Sequence, residues 1–252
     1  MQKQDSFIEK RIVDLANQSY RNHVYTFTGF LSPDEQDIFY RIQPQIGQIA
    51  YTLYGGVEGC ERQVLRFGSE ETLGYPEEFP IDCVQIRPLM PKFADKLTHR
   101  DFLGALMNLG IERSTLGDII VKDECAYLFC LSKVTSYIMQ NLSKIRHTNV
   151  KCEQMKEPPQ AVRPRLEPQS LIVGSPRLDG VIAKLYHLSR SQSVTLFRDK
   201  KVFVNGRCTE NNSGSCKEGD VISVRGFGKF VYNGSIHETK KGNLSISVSR
   251  YV

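Results

Sequence analysis

At 252 residues, with 40% hydrophobic and 24% charged residues, the chain has the balance of an ordinary globular protein with room for two or three cores. No run approaches the roughly 20 apolar residues that cross a bilayer, and Met1-Gln2-Lys3-Gln4-Asp5 lacks the apolar stretch of a secretory signal, so a cytoplasmic protein away from membranes is expected. The net charge of +5 is unevenly spread: residues 171–252 hold 13 Lys and Arg against 6 Asp and Glu, whereas residues 1–170 hold 20 against 22.

An α+β, multidomain protein is predicted. The first unit, residues 1–80, reads as mainly helical with a small β element. Ile8, Ile12 and Leu15 recur at helical spacing. A second helix is predicted to start at Ser32, where Pro33 suits the first turn, Glu35 can complete a capping box, and Phe30 or Leu31 can staple the entry. The segment Tyr54 to Arg62 breaks regular structure, and Val64-Leu65-Arg66-Phe67 reads as a strand.

The second unit, residues 81–153, reads as strand, helix, strand, strand, helix, strand, the ferredoxin-like order shared by RRM-like RNA-binding modules and many others. Val84 and Ile86 alternate with Gln85 and Arg87 in its first strand. Thr98 to Asp101 caps a helix with the stripe Phe102, Ala105, Leu106 and Leu109, and Gly110 ends it. Strands at Asp118–Lys122 and Cys125–Leu131 precede a helix over 132–145 and a strand near 149–153. Tyr127 and Phe129 alternate on one strand; on an open sheet they would stack on RNA bases, and burial under neighbouring helices is the competing reading.

Residues 154–170, with Pro158, Pro159, Pro164 and Pro168, read as an extended linker. The third unit, residues 171–252, carries the charge. Pro176 after Ser175 suits a helix start, with Leu178, Val181, Ile182 and Leu185 as its buried stripe, and Arg177 and Lys184 on another face. Ser189 and Gln192 form a capping box that puts Arg190 in the first turn of a second helix, where a cation opposes the macrodipole unless an external anion relieves it. Lys200, Lys201, Arg207 and Lys217 cluster around the Asn205-Gly206 turn, and Arg225 and Lys229 lie on a closing strand. Cations so concentrated suit a phosphate polymer, positioning it without reading its bases.

These residues resemble the RNA-binding module named for ribosomal small-subunit protein four, the αL motif. The match covers residues 174–232: Arg177-Leu178-Asp179, Ser189-Arg190, Val202 to Gly206, and Gly219 to Gly226. The resemblance places contact positions at Arg177, Lys184, Ser189, Arg190, Asn205 and Arg225. The polar loop between Cys208 and Cys216 departs from the pattern. Other stretches resemble the bacterial YlmH family: His99 to Ile111, Gly117 to Val121, the Gly55-Gly56 to Glu61-Arg62 segment, Arg225 to Phe230, and Thr239-Lys240-Lys241-Gly242. That family resemblance implies association with the large ribosomal subunit and a part in rescuing stalled complexes that carry peptidyl-tRNA.

Other motifs lead elsewhere. His99-Arg100-Asp101 matches a kinase catalytic loop only in its first three letters, since Leu106 stands where asparagine is needed. Arg225 to Tyr232 nearly spells an RRM contact strand, which makes Phe227 and Phe230 stacking candidates, but Lys229 replaces an aromatic and too little chain follows. Asp179 invites comparison with pseudouridine synthases, yet it lies inside the binding module, at its helix start. The histidines show no metal-spaced pair, and the seven cysteines no C-x-x-C spacing, so reduced structural thiols are expected, with no metal, cofactor or catalytic residue. The expectation is a monomeric, non-enzymatic protein that binds rRNA and tRNA on the ribosome. The rivals are an RNA-modifying enzyme of pseudouridine-synthase type and a cell-division adaptor.

Overall fold

The computed structural model describes residues 2–122, 124–239 and 242–252. Two compact units emerge, Met1–Arg163 and Pro164–Val252, and each combines helices with antiparallel sheet, giving an α+β fold.

The first unit begins with α1 (Gln2–Asn22), β1 (Thr26–Leu31), α2 (Pro33–Ile46), β2 (Tyr51–Tyr54), β3 (Gln63–Phe67) and α3 (Glu70–Leu73). Ile12, Leu15 and Ala16 of α1 bury with Phe39 and Ile42 of α2 against Leu65 and Phe67. The α2 box is complete: Ser32 N–H donates to Glu35 Oε2 at 2.6 Å and Glu35 N–H to Ser32 Oγ at 3.4 Å. The sheet order is β1-β3-β2, so this region holds more strand than its sequence suggests. β1 hides its pattern because buried polar residues interrupt it: Thr26 Oγ1 donates to Leu15 O at 2.9 Å, and Thr28 Oγ1 accepts from Leu65 N–H at 2.9 Å. Each hydroxyl is satisfied, so threonine takes a core position without an unpaired polar group.

The chain continues with β4 (Ile81–Pro88), α4 (His99–Asn108), β5 (Leu116–Lys122), β6 (Cys125–Leu131), α5 (Ser132–Asn141), β7 (Lys144–Ile145) and β8 (Thr148–Met155). The expected succession of strands and helices is present, in the antiparallel order β5-β6-β4-β8-β7. The second helix ends at Asn141, short of the predicted 145. Ile138, Leu142 and Ile145 are all buried at helical spacing, but Arg146 takes a left-handed φ of 53° and turns Lys144-Ile145 into a hairpin with β8.

α4 and α5 cover one face of this sheet through Phe102, Leu106 and Ile138. The other face is covered as well. Cys83, Phe129 and Leu131 share a core with Phe30, Val57 and Val64. Residues 1–80 and 81–153 therefore fuse into one body through a common apolar layer. Its closeness shows at Gly56, where φ is +105° and an added Cβ would stand 2.2 Å from the Phe129 ring. At Gly117 it would stand 2.6 Å from Phe30.

The stretch predicted as a linker over 154–170 is largely ordered structure. β8 runs on to Met155, a short 3-10 turn follows at Gln160–Val162 with Val162 buried, and β9 (Leu166–Val173) opens the second unit. Pro168 is tolerated because β9 is an edge strand that needs hydrogen bonds on one side only. Then follow α6 (Leu178–Leu185), α7 (Arg190–Arg198), β10 (Val202–Val204), β11 (Arg207–Cys208), β12 (Val221–Val224), β13 (Gly228–Glu238) and β14 (Leu244–Tyr251). Their sheet runs β11-β10-β12-β13-β14-β9. Val181, Ile182 and Leu185 of α6 and Phe197 of α7 bury against Ile222, Phe230, Ile246 and Val248.

Candidate nucleic-acid interface

α6 begins at Leu178, two residues later than Pro176 suggests, with Arg177 as its N-cap and no side-chain cap. The polar loop between Cys208 and Cys216 supplies what the helix end lacks. Leu178 N–H donates to Gly214 O at 2.8 Å and Asp179 N–H to Asn212 O at 3.1 Å, which satisfies donors that every helix start leaves open. The loop that departs from the αL pattern is thus the cap of the motif's first helix.

Asp179 sits behind this cap, 1% exposed. Its carboxylate accepts from Arg177 Nε at 3.1 Å, Arg177 Nη2 at 2.8 Å, Gly180 N–H at 2.8 Å and Asn212 Nδ2 at 3.2 Å. Its backbone oxygen accepts from the buried Ser193 hydroxyl of α7 at 2.8 Å. Arg190 Nη2 approaches the same carboxylate at 3.9 Å, with its side chain 74% exposed. Burial alone would push the Asp179 carboxyl up, but the hydrogen bonds and charge of Arg177, the Gly180 N–H and the charge of Arg190 hold it below the usual carboxylate range. One buried anion therefore gathers two arginines at the adjoining starts of two helices.

The two arginines differ in what they can offer. Arg177 spends a two-pronged pair on Asp179 and is a positioning group in the fold as much as a surface charge. Arg190 keeps most of its surface in water, in the first turn of a helix whose capping box is closed by Ser189 N–H to Gln192 Oε1 at 2.8 Å and Gln192 N–H to Ser189 Oγ at 3.2 Å. Lys184 is exposed on α6.

The remaining candidates lie on the sheet side. Lys200 reaches Glu210 at 3.4 Å and Lys201 reaches Asp199 at 3.1 Å, both at the surface. Arg225 N–H donates to Lys201 O at 2.8 Å, which brings those two residues together, and the Arg225 guanidinium lies 5.5 Å from the Phe203 ring centre. Lys229 lies over Tyr251 at 5.3 Å, and Arg207 is exposed on β11. Asn205, with φ 51° in the hairpin turn, donates to Asp220 Oδ1 at 2.8 Å and accepts from Val221 N–H at 2.9 Å. Its amide is committed to holding the turn. Lys240 and Lys241 of the Thr239–Gly242 resemblance lie outside the described residues.

Two stacking candidates are corrected. Phe230 and Phe129 are both 0% exposed, one in the core beneath α6 and α7, the other beneath Gly56. Neither can present a ring to a base. Tyr127 is half-buried on the covered face of its sheet, where its hydroxyl accepts from Gln85 Nε2 at 3.0 Å. Alternation along β6 is real, but both sets of side chains face cores, so a period of two could not distinguish a covered face from an open one. Phe227 remains part-exposed, with its ring 5.4 Å from Tyr186.

The motifs in the first unit also meet. Asp118 accepts from Glu61 N–H at 2.6 Å and from Arg62 N–H at 3.1 Å. Arg62 donates through Nε to Leu116 O at 3.0 Å and through Nη2 to Phe30 O at 2.7 Å. The Gly-Gly to Glu-Arg segment and the Gly-Asp strand are one structural joint, a role that their separation in sequence conceals. Burial pushes the thiols of Cys83 and Cys216 up to about 12 and that of Cys130 up to about 11, each unreactive near neutral pH. Iodoacetamide on the native protein is therefore expected to leave these three unlabelled until denaturant is added. Early labelling of Cys83, read by peptide mass spectrometry, would contradict the buried layer.

Comparison with known proteins adds three findings. Residues 75–158 match the family model described as "Putative RNA-binding domain in YlmH". The chain is 29% identical over 245 residues to "Ribosome-associated protein quality control protein P2" of Bacillus subtilis (strain 168), covering 96% of this chain and 91% of that protein. A solved structure, "Cell division protein ylmH from Streptococcus pneumoniae", aligns with 60% of this chain and 91% of its own at 21% identity and a TM-score of 0.48.

Proposed function

We propose that the chain belongs with the YlmH-type proteins it resembles and is a ribosome-associated RNA-binding protein whose second unit grips structured RNA through the cationic surface of α6 and α7. It acts in the cytoplasm as a monomer, on the large subunit, where it contacts rRNA and tRNA and helps to resolve stalled complexes. The observation that carries the RNA-binding reading is the exposed charge of Arg190 at the start of α7 and of Lys184 on α6, whereas Arg177 is held internally by buried Asp179 and serves the interface by positioning the helix starts. The state of Asp179 supports binding over catalysis. Asp179 is the carboxylate that a modifying enzyme would need, and it is buried and fully hydrogen-bonded.

The test uses the full-length protein carrying Lys184→Glu and Arg190→Glu. Both side chains are exposed, so the fold should survive. Ribosomal RNA affinity is expected to fall at least about tenfold, with a shallower dependence on salt because fewer phosphates are neutralised. Unchanged filter binding and ribosome co-sedimentation in the folded variant would refute this surface.

A further inference from the structure

The covered sheet of the first unit leaves residues 75–158 without the open aromatic platform that RRM-like modules use, and one other surface has what such a platform would provide. Between β4 and α4 the chain passes through Leu89, Met90 and Phe93, which are 55%, 68% and 85% exposed. These apolar side chains project from a short, proline-braced turn at Pro91–Phe93. A single exposed apolar residue is ordinary, but three within the five positions 89–93 make the kind of cluster that marks a contact surface.

The turn is held in place. Leu89 N–H donates to Asn149 O at 2.9 Å, Asp95 N–H to Thr148 Oγ1 at 2.8 Å, and His147 N–H to Asp95 Oδ2 at 3.2 Å. These bonds join it to the β7–β8 hairpin. The charge around it is one-sided. Segments 87–101 and 144–153 carry seven Lys and Arg against Asp95, Asp101 and Glu153, whereas residues 1–163 as a whole hold 19 against 21. A local positive field on a body that is otherwise acidic is complementary to phosphate. Lys92 and Lys96, which flank Phe93, are exposed and form no ion pair among the described residues.

We propose that the Leu89–Phe93 turn is a second RNA contact, in which Phe93 stacks on an unpaired base while Lys92, Lys96 and neighbouring cations hold the flanking phosphates. A planar ring beside cations suits single-stranded loops and bulges, whose bases are free to stack; a paired helix buries its base faces. RNA is favoured over an apolar protein partner because it supplies both a flat base for the ring and phosphates for the surrounding cations, which an apolar partner would leave without counter-charge. The inference rests on the RNA-binding reading above and adds a site distant in sequence from α6 and α7.

Full-length protein would be titrated with two fluorescein-labelled RNAs, a hairpin with an adenosine-rich loop and the same stem as a blunt duplex. Phe93→Ala is expected to weaken loop binding about tenfold and to leave duplex binding within twofold. With 4-thiouridine in the loop, ultraviolet crosslinks should map to a peptide containing Phe93, and Lys92→Glu with Lys96→Glu should weaken both RNAs and increase the loss. If Phe93→Ala binds both RNAs like the parent and no crosslink reaches this peptide, while the Lys184→Glu, Arg190→Glu protein is impaired, the turn is no RNA site and only this inference fails. If the parent binds neither RNA, the RNA-binding reading fails first. Retained hairpin affinity with crosslinks confined to residues 171–252 also overturns the proposal.

Discussion

Arg177→Glu is expected to destabilise the second unit strongly, whereas Arg190→Glu should leave it folded. The difference follows from where each guanidinium ends. Arg177 supplies two of the hydrogen bonds that keep Asp179 charged at 1% exposure; a glutamate there would set a second carboxylate against the first. Arg190 touches the same anion only at 3.9 Å and from water, where screening leaves little to lose. Hydrogen exchange of peptides from residues 164–252 is the appropriate readout, because it reports this unit alone. Fast exchange in Arg177→Glu with parental exchange in Arg190→Glu is the expected pattern, and equal protection in both would contradict the role assigned to Asp179. The pH dependence has a definite sign. The folded state holds the Asp179 carboxyl below its ordinary value, so its contribution is fully present above about pH 4, near the unfolded carboxylate value, and is lost as pH falls through the lower folded value. Asp179→Asn should flatten that acid limb.

Gly56→Ala is expected to destabilise the first unit by about 3–5 kcal/mol. Two penalties combine. At φ +105° an L side chain is strained, and the new methyl would meet the Phe129 ring at 2.2 Å in a layer that has no exposure to give. Phe129→Leu in the Gly56→Ala background should recover part of the loss, since it removes the clash but leaves the backbone strain. Denaturant midpoints of the four proteins in this cycle measure the coupling, and strict additivity would show that the ring and the glycine do not meet.

Much of the fold could be read from local rules. The capping boxes at Ser32 and Ser189 close as their spacing requires, and the strand-helix succession from Ile81 to Met155 is present. The failures share a cause: what covers a face is decided by residues far away in sequence. Phe129 and Phe230 alternate or cluster like contact aromatics, yet distant elements bury them. Leu142 and Ile145 continue a helical stripe past the true end of α5 because the hairpin that follows keeps both buried. In the candidate interface the cations were legible and their partners were not. Asp179 reads as a structural carboxylate, but nothing local shows that Asn212 and Gly214 complete the same helix start. The turn at Leu89–Phe93 gave a weaker signal still, since exposed and buried apolar residues look alike in a list of letters.

One pairing bears on how the second unit is made. Among the described residues, the one strand that hydrogen-bonds with β9 is β14, from Leu166 opposite Tyr251 to Val173 opposite Leu244. During synthesis, then, its strand emerges long before its partner has been translated, and it must wait in solvent. Five of its first positions are exposed even in the finished sheet, among them Glu167, Gln169 and Ser170, a composition that can tolerate such a delay without sticking to a nascent neighbour. Closure of the sheet is thus a late event, available only once β14 has cleared the exit tunnel.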